Sequence, residues 1–253
     1  MTAVVGILCP DGVIIGTDSA LTLTSGQTRT IEQTAEKLVI IGDSVVVAGT
    51  GQVGLGQRFT DVVQKAWEAK VFSNPTPALH KARTLCKNAL DDFTSTHVQK
   101  GNYGALVAFV AENKAQLCEF EVTDFQPELK TNQLWYCSMG STQHITDSFL
   151  ALMRDILWKN GPPPLTDGLF AATWTLDHAV TVNPGGVNAP VRIARLSSGR
   201  DGQFKAEILD DSELQEHREN IAGAKQYLLK YCESLHATGA GTPEVPRPNP
   251  SSP

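Results

Sequence analysis

The first eighteen residues carry the hydrophobic pattern of a buried β-hairpin. Residues 4–8 and 13–15 are mostly β-branched or bulky apolar residues, and Pro10, Asp11 and Gly12 between them are typical of a turn. No lysine or arginine precedes the first run, the turn interrupts it, and no small-residue cleavage site follows, so we do not expect a secretory signal. The sequence predicts a chain that starts inside its own core.

Further apolar runs separated by glycine, asparagine and aspartate predict more strand pairs, and between them lie segments whose apolar residues recur at helical spacing. The polar segment 19–36, rich in threonine, serine and glutamine, is expected to be a surface loop. Later strands are predicted over residues 37–41, 45–48, 104–112, 115–122, 133–138, 191–196 and 203–209. Helices are predicted over residues 52–70, 76–97, 145–159 and 165–180.

This order of strand pairs and helix pairs predicts an α+β fold. Short turns between sequential strands favour antiparallel sheets, and the helix pairs must cover the outer faces of those sheets. We therefore expect a four-layer αββα sandwich of two antiparallel sheets over residues 1–209. A charged helix with a narrow apolar stripe is predicted over 210–235, and a proline-rich, disordered tail over 236–253.

Composition narrows the functional classes. The 253 residues are 41% hydrophobic with a formal net charge of -6, which suits one large domain and disfavours nucleic acid as a partner. No apolar stretch reaches the ~20 residues that a membrane span needs. The five cysteines and six histidines show neither disulfide nor metal-ligand spacing, so we expect a cytoplasmic protein without a metal or other cofactor.

Thr2 is a candidate nucleophile at the head of the first strand. Aminopeptidases remove an initiator methionine when a small residue follows, and Thr2 would then carry a free α-amine. Such an amine has an unperturbed pKa of about 7.7 to 8.0, so it can take the hydroxyl proton of the same residue near neutral pH. A start with Met-Thr is also common in proteins without this chemistry, and the residues downstream must decide.

A glycine-rich segment lies at residues 49–51, where a predicted strand leads into a predicted helix. A phosphate-binding loop has a similar appearance. The match is weak, because no Gly-Lys-Ser/Thr ends the segment and no strand–helix–strand alternation follows it.

Several of these stretches together resemble the proteasome β-subunit family, which includes the peptidase subunits of bacterial proteasome-like proteases. The likeness spans about residues 2–209. It is carried by residues 2–6, residues 11–19, Lys37 at the start of a strand, residues 47–51 before a helix, and residues 140–141 before another helix. The five pieces occur in the order of the family and at roughly its spacing.

The resemblance implies a catalytic role for three residues. Thr2 would be the nucleophile. Lys37 matches the buried lysine of the family, and its positive charge beside the Thr2 hydroxyl would lower the pKa of that hydroxyl. Asp18 would pair with Lys37 and hold it in place. The alternatives are a strand-end aspartate in a turn and a solvated lysine at the exit of a loop.

Four further residues match positions of the family site. Gly49 matches the residue whose backbone N–H stabilises the oxyanion. Val47 and Thr50 would line the pocket for the substrate side chain that precedes the cut. Ser141 matches the serine near the threonine amine, although it could instead be a helix N-cap.

One stretch departs from the family. The family shows an aspartate and a serine before a glycine pair after its last helix pair, whereas Thr181 and Pro184 stand before Gly185 and Gly186 here. Asp177 is the nearest acid, and it reaches the site only if the preceding helix ends early. This departure puts the catalytic efficiency in doubt more than it does the fold.

The resemblance implies a threonine-type endopeptidase whose identical subunits form a double ring of about 12–14 copies. Peptides or unfolded proteins would be the substrates, and any ATPase or activator partner is unknown. Two alternatives stay open. One is an N-terminal-nucleophile amidase that acts on a small molecule, and the other is a catalytically weak structural or binding ring protein.

Overall fold

The computed structural model describes residues 2–25, 28–96, 101–183, 186–199 and 201–236, without the side chains of residues 22–32 and 236. In these ranges the strands are β1 Ala3–Cys9, β2 Gly12–Thr17, β3 Ala20–Ser25, β4 Thr28–Thr34, β5 Leu38–Ile41, β6 Val45–Gly51, β7 Tyr103–Ala111, β8 Lys114–Phe120, β9 Pro127–Leu129, β10 Tyr136–Gly140, β11 Arg192–Ser198 and β12 Phe204–Ile208. The helices are α1 Val53–Glu68, α2 Ala78–Thr94, α3 Gln143–Leu157, α4 Leu165–Val182 and α5 Asp211–His236.

The strands form two five-stranded antiparallel sheets. The first sheet has the order β10-β1-β2-β11-β12, and the second has the order β5-β6-β7-β8-β9. The strands β3 and β4 pair only with each other as a separate hairpin. The N-terminal strand β1 lies inside the first sheet and is buried along its whole length, as the sequence predicts.

In the second sheet, successive side chains of a strand pack into two different cores, and this explains how the layers form. In β6, Val46 and Ala48 join the core between the two sheets, while Val45 and Val47 join the core under α1 and α2. Successive side chains of a strand point to opposite faces, so one strand serves both cores. This sheet therefore needs apolar cover on both sides.

Helices supply that cover on the outer faces. The pair α1 and α2 packs on the second sheet, and the pair α3 and α4 packs on the first sheet. The two sheets contact each other between the helix pairs through β1, β2, β6 and β8. The predicted four-layer αββα sandwich is therefore confirmed.

The predicted surface loop over residues 19–36 is wrong. Its backbone forms the hairpin of β3 and β4, with a register shift after Leu23. Threonine is β-branched and favours extended backbone, so a threonine-rich segment can pair as strands without the apolar runs on which the prediction depended.

Two differences affect the edges of the sheets. The strand predicted over 133–138 starts later, at Tyr136, because Thr131 and Leu134 exchange backbone hydrogen bonds of 3.1 Å and close a turn. The strand β9 was not predicted. It is a three-residue edge strand that begins with Pro127, and such short strands leave little periodicity in a sequence.

The helix α5 packs on α4 through its N-terminal half. Leu214 and Ile221 are buried there, and the Arg218 Nε atom lies 3.3 Å from Asp177 Oδ2 of α4. Farther along, every residue from 225 to 233 is exposed. The predicted disordered tail lies outside the described residues from position 237 on.

Candidate functional site

Sheet topology brings the candidate residues to one end of the sandwich. Ala3, just after Thr2, pairs with Gly140 at the end of β10, so Ser141 lies beside Thr2. On the other side β1 pairs with β2, which ends at Thr17, and this brings Asp18 to the same end. Residues 16 to 139 positions apart in the sequence therefore meet because neighbouring antiparallel strands start and stop there.

Asp18 is a fully buried carboxylate with three donors. Its Oδ1 atom accepts hydrogen bonds from the Ala3 N–H at 2.9 Å and from Lys37 Nζ at 2.7 Å, and Oδ2 accepts one from the Ala20 N–H at 2.9 Å. A buried charge is tolerated only when it is paired and hydrogen-bonded in this way. Asp18 is thus fixed to β1, to β3 and to the lysine at once.

Lys37 reaches the site from the second sheet, directly before β5. Its side chain is 9% exposed, and Nζ lies 3.5 Å from Thr2 Oγ1 as well as 2.7 Å from Asp18 Oδ1. The structure therefore brings Thr2, Asp18 and Lys37 together, and the lysine is not a solvated residue at a loop exit. A cation held beside a hydroxyl favours loss of the hydroxyl proton.

Ser141 and Gly140 hold the backbone of Thr2. The Thr2 nitrogen lies 3.2 Å from Ser141 Oγ, and the same Oγ lies 3.5 Å from the Thr2 carbonyl oxygen. Gly140 has a φ of 101°, and a Cβ there would lie 2.1 Å from that carbonyl oxygen, so only glycine fits. The N-cap position of α3 is Thr142, so Ser141 is not the helix cap.

A cleft of about 390 Å³ opens beside Thr2, between the second sheet and α1. It is lined by the predicted residues Thr2, Lys37, Val47, Gly49 and Thr50, together with others that the sequence did not indicate. Within β6, pairing with β5 ends at Ala48, so Gly49 and Thr50 follow beyond that pairing. Both residues line the cleft, and their pairing partners lie on the other side, in β7.

Tyr103 is a cleft residue that the sequence analysis missed. It lines the cleft, and its Oη would lie 2.4 Å from a Cβ on Gly49, so this glycine is required by close packing. Burial raises the pKa of the Tyr103 phenol, which keeps the hydroxyl neutral. No sequence motif marks Tyr103, because its position depends on the pairing of Gly51 with Tyr103 between β6 and β7.

Asp177, the acid nearest to the stretch that departs from the family pattern, does not reach Thr2. The helix α4 continues to Val182, so Asp177 stays inside it and pairs with Arg218. The Thr181 hydroxyl donates to the Asp177 carbonyl oxygen at 2.7 Å. Pro184 lies outside the described residues.

A loop on the other side of Asp18 contributes support that was also not predicted. The Ser19 hydroxyl donates to the Pro190 carbonyl oxygen at 2.6 Å, and the Ser19 N–H donates to the Asn188 carbonyl oxygen at 3.1 Å. These bonds connect the residue after Asp18 to the segment that precedes β11. The carboxylate is therefore held between two well-connected backbone segments.

The described part of the chain bears on two other kinds of feature, metal sites and membrane-spanning helices. Among its residues, no group of three or more His, Cys, Asp or Glu side chains is arranged to hold a metal ion. None of its helices combines the length and apolar character needed to cross a bilayer.

As a chemical unit, the site combines a hydroxyl, a nitrogen on the same residue, a paired cation and a glycine-lined cleft. The hydroxyl can become a nucleophile when the nitrogen is a free amine, and the cleft can receive an extended segment with a side chain of moderate size. With a peptide bond to Met1 in place, the nitrogen is an amide and cannot act as a base.

Comparisons with known proteins show what the chain is similar to. The model of the family described as proteasome subunit matches residues 2–156. Among solved structures, an Anbu (Gly-1) mutant from Hyphomicrobium sp. strain MC1 matches with a TM-score of 0.67 and 12% identity, over 91% of this chain and 97% of that chain. Anbu, described as an ancestral beta-subunit, from Yersinia bercovieri matches with a TM-score of 0.66 and 14% identity, over 90% and 96% of the two chains.

Comparison with curated protein sequences gives no match. The two structural likenesses establish the sandwich fold, and the family match covers more than half of the chain, including Thr2, Asp18, Lys37, Gly49 and Ser141. The chain belongs to the proteasome subunit family.

Proposed function

We propose that the chain is a threonine-type endopeptidase subunit in which Thr2, once freed of Met1, is the N-terminal nucleophile. The observation that carries this proposal is the 3.5 Å contact between Lys37 Nζ and Thr2 Oγ1, with the same Nζ 2.7 Å from Asp18. If Lys37 only neutralised Asp18, its Nζ atom would not need to lie next to the Thr2 hydroxyl. A paired cation next to a hydroxyl is the arrangement that activates it.

The reaction follows from these positions. The α-amine of Thr2 takes the hydroxyl proton, Oγ1 attacks the carbonyl carbon of the peptide bond, and the N–H of Gly49 stabilises the oxyanion. The C–N bond then breaks, the departing nitrogen receives the proton from the amine, and an ester remains on Thr2. Water hydrolyses the ester with the amine as base.

Two residues set the environment of the amine and the cation. Ser141 Oγ lies 3.2 Å from the Thr2 nitrogen and orients the amine toward the hydroxyl. Asp18 fixes the position of Lys37 and compensates its charge, so that the cation can stay buried beside the nucleophile.

The substrate in this proposal is a peptide or an unfolded protein segment. Val47, Val39 and Leu21 give the cleft an apolar wall, and Thr50 adds a hydroxyl, so the side chain before the cut would be uncharged. Residues of the cleft that carry charge are Lys37, which Asp18 compensates, and Glu36, which pairs with Arg192 at 3.6 Å.

We further propose that identical copies assemble in the cytoplasm into a double ring of about 12–14 subunits that encloses the Thr2 sites. Oligomeric rings are typical of the family. Sedimentation velocity tests the assembly, and a stable monomer at micromolar concentration would contradict it.

A catalytically weak ring protein is the second candidate, and one observation favours it. Asp177 is the acid nearest to the stretch at Thr181 and Pro184 that departs from the family. It lies within α4 and pairs with Arg218, so it does not orient the Thr2 amine. A positioned general base contributes about 10²- to 10⁴-fold to a rate, and a loosely held amine forfeits part of that. We therefore expect slow turnover.

Hydrolysis of short fluorogenic peptides by protein that lacks Met1 distinguishes the two candidates. Thr2→Ala is expected to be inactive, and Thr2→Ser to retain activity because it keeps the hydroxyl and the amine. Lys37→Ala is expected to lose roughly 100-fold or more, as for removal of an activating group. Lys87→Ala, at an exposed helix position, is the matched control and should leave the rate unchanged. Equal rates in the wild type and Thr2→Ala would support the non-catalytic ring.

A further inference from the structure

Among the residues that the structure describes, no element covers the large apolar side chains in the C-terminal half of α5. Five large side chains between positions 227 and 235 are about half exposed or more. These are Tyr227 at 55%, Leu228 at 61%, Leu229 at 51%, Tyr231 at 48% and Leu235 at 61%. Because residues 225–233 are exposed all round, this half of the helix extends away from the sandwich.

The exposed residues continue a stripe that is buried in the first half of the helix. Leu214, His217 and Ile221 are buried, and the same three-four spacing continues through Ala224 to the exposed residues Leu228, Tyr231 and Leu235. Such a three-four repeat is the seam by which two helices pack side by side. The stripe is therefore used by α4 at one end and is open at the other.

A free helical end of this length is not expected to be stable in water. The segment from 222 to 236 is about 22 Å long, and an isolated helix of roughly this length is marginal in water. Its stability must come from packing of the apolar face. Residues 237–253 contain one large apolar residue, Val245, among five prolines, a composition that does not favour an apolar covering helix.

The area indicates what the occupant is. Leu229 lies on the other side of the helix from the stripe, so it is left out of the area. With about 200 Å² for a fully exposed large side chain, Tyr227, Leu228, Tyr231 and Leu235 present roughly 450 Å² of surface, within the range of the largest patch on a monomer. A reciprocal contact between two identical segments would cover about 900 Å², close to the ~1,000 Å² that a specific interface needs. A self-complementary contact of this kind has two-fold symmetry.

We propose that residues 224–235 of α5 pair with the same residues of a second copy of this chain as an antiparallel helix pair, with Leu228 of each copy next to Tyr231 of the other. The antiparallel direction keeps the two sandwiches at opposite ends of the pair. This contact does not depend on the chemistry of Thr2.

Cys232 makes the contact measurable. It is exposed, whereas Cys9, Cys86, Cys118 and Cys137 are buried. In the antiparallel pair the two Cys232 residues are offset by about 8 Å along helices that lie ~8–10 Å apart. A bismaleimide with a spacer of about 10 Å should convert most of the full-length protein to a covalent dimer, and Cys232→Ser should prevent this.

Two variants test the surface. Leu228→Glu is expected to reduce the covalent dimer at least tenfold without changing the circular dichroism or the urea midpoint, because the Leu228 side chain is 61% exposed. Leu134→Glu is the matched control, with 63% exposure at a site outside α5, and should cross-link like the wild type. Absence of the dimer in the wild type, or its persistence in Leu228→Glu, would overturn the proposal.

The direction of the pair has its own test. Lys225→Cys puts a second thiol on the same flank as Cys232 of the other copy, about 3 Å from its level along the helix axis, so oxidation should give a disulfide between positions 225 and 232, identified by mass spectrometry of the linked peptides. These two positions lie about 10 Å apart along one helix and cannot join within a chain. A product linked only between two Cys232 residues would overturn the antiparallel arrangement.

Discussion

Replacing Asp18 by alanine should destabilise the protein much more than replacement of an exposed aspartate. Asp18 is fully buried, and its carboxylate compensates Lys37, whose side chain is 9% exposed. The substitution leaves that cation without its partner and removes the acceptor of the Ala3 and Ala20 N–H groups.

The magnitude can be worked from these contacts. Breaking a buried ion pair by removal of one partner costs about 3–5 kcal/mol, and much of this is the cost of the unpaired charge. For a chain of this size each kcal/mol lowers the melting temperature by about 2–4 °C, so Asp18→Ala should lower it by roughly 6–20 °C. Because the cost comes from Lys37, the double variant with Lys37→Met should be more stable than Asp18→Ala alone.

Urea unfolding at a fixed protein concentration measures these differences. Asp91→Ala is the control, since Asp91 pairs with Lys87 on the exposed side of α2 and such pairs contribute about 0.3–0.5 kcal/mol. If Asp18→Ala lost less than about 1 kcal/mol, or if Lys37→Met made it less stable, the account of a buried, interdependent pair would be refuted.

Two further predictions concern the cleft and α5. Gly49→Ala should lower peptide turnover by about tenfold or more, because its Cβ overlaps the Tyr103 hydroxyl and displaces the backbone N–H. Adding Tyr103→Phe should restore part of the rate in the same fluorogenic assay. Burial lowers the pKa of His217 in the folded state, against the opposing effect of nearby carboxylates. The unfolded chain therefore binds a proton first as the pH falls below about 6.5, so stability present above that pH should decline toward the lower folded pKa. The decline in urea midpoint should be smaller in His217→Phe.

The core elements could be predicted because their patterns are local. The runs in β1 and β2 and the periodicity of α1 to α4 lie within single segments of the chain, and all of these elements are present close to the predicted positions. The hairpin of β3 and β4 could not be found in this way. Its threonines satisfy strand geometry without an apolar run, so polarity was a misleading guide.

Part of the candidate site could be predicted from the sequence for a different reason. Thr2, Asp18 and Lys37 stand within motif-like stretches, and the structure brings all three within hydrogen-bond or near hydrogen-bond distance. Tyr103 shows what short motifs miss. Its contact with Gly49 depends on strand register between β6 and β7, which pairs residues about 50 positions apart and leaves no mark in either segment alone.

The central claim is that Thr2 acts as an N-terminal nucleophile, and intact mass spectrometry after reaction with a peptide vinyl sulfone tests it most directly. Thr2 Oγ1 adds to the vinyl group, so the account predicts a chain that lacks Met1 and gains the mass of one whole reagent, with fragment ions locating the adduct on Thr2. Thr2→Ala should show no adduct at this position, Thr2→Ser should show one, and Lys37→Ala should react far more slowly. Wild-type protein that lacks Met1 and is never labelled at Thr2, under conditions that label an active relative, would contradict the account.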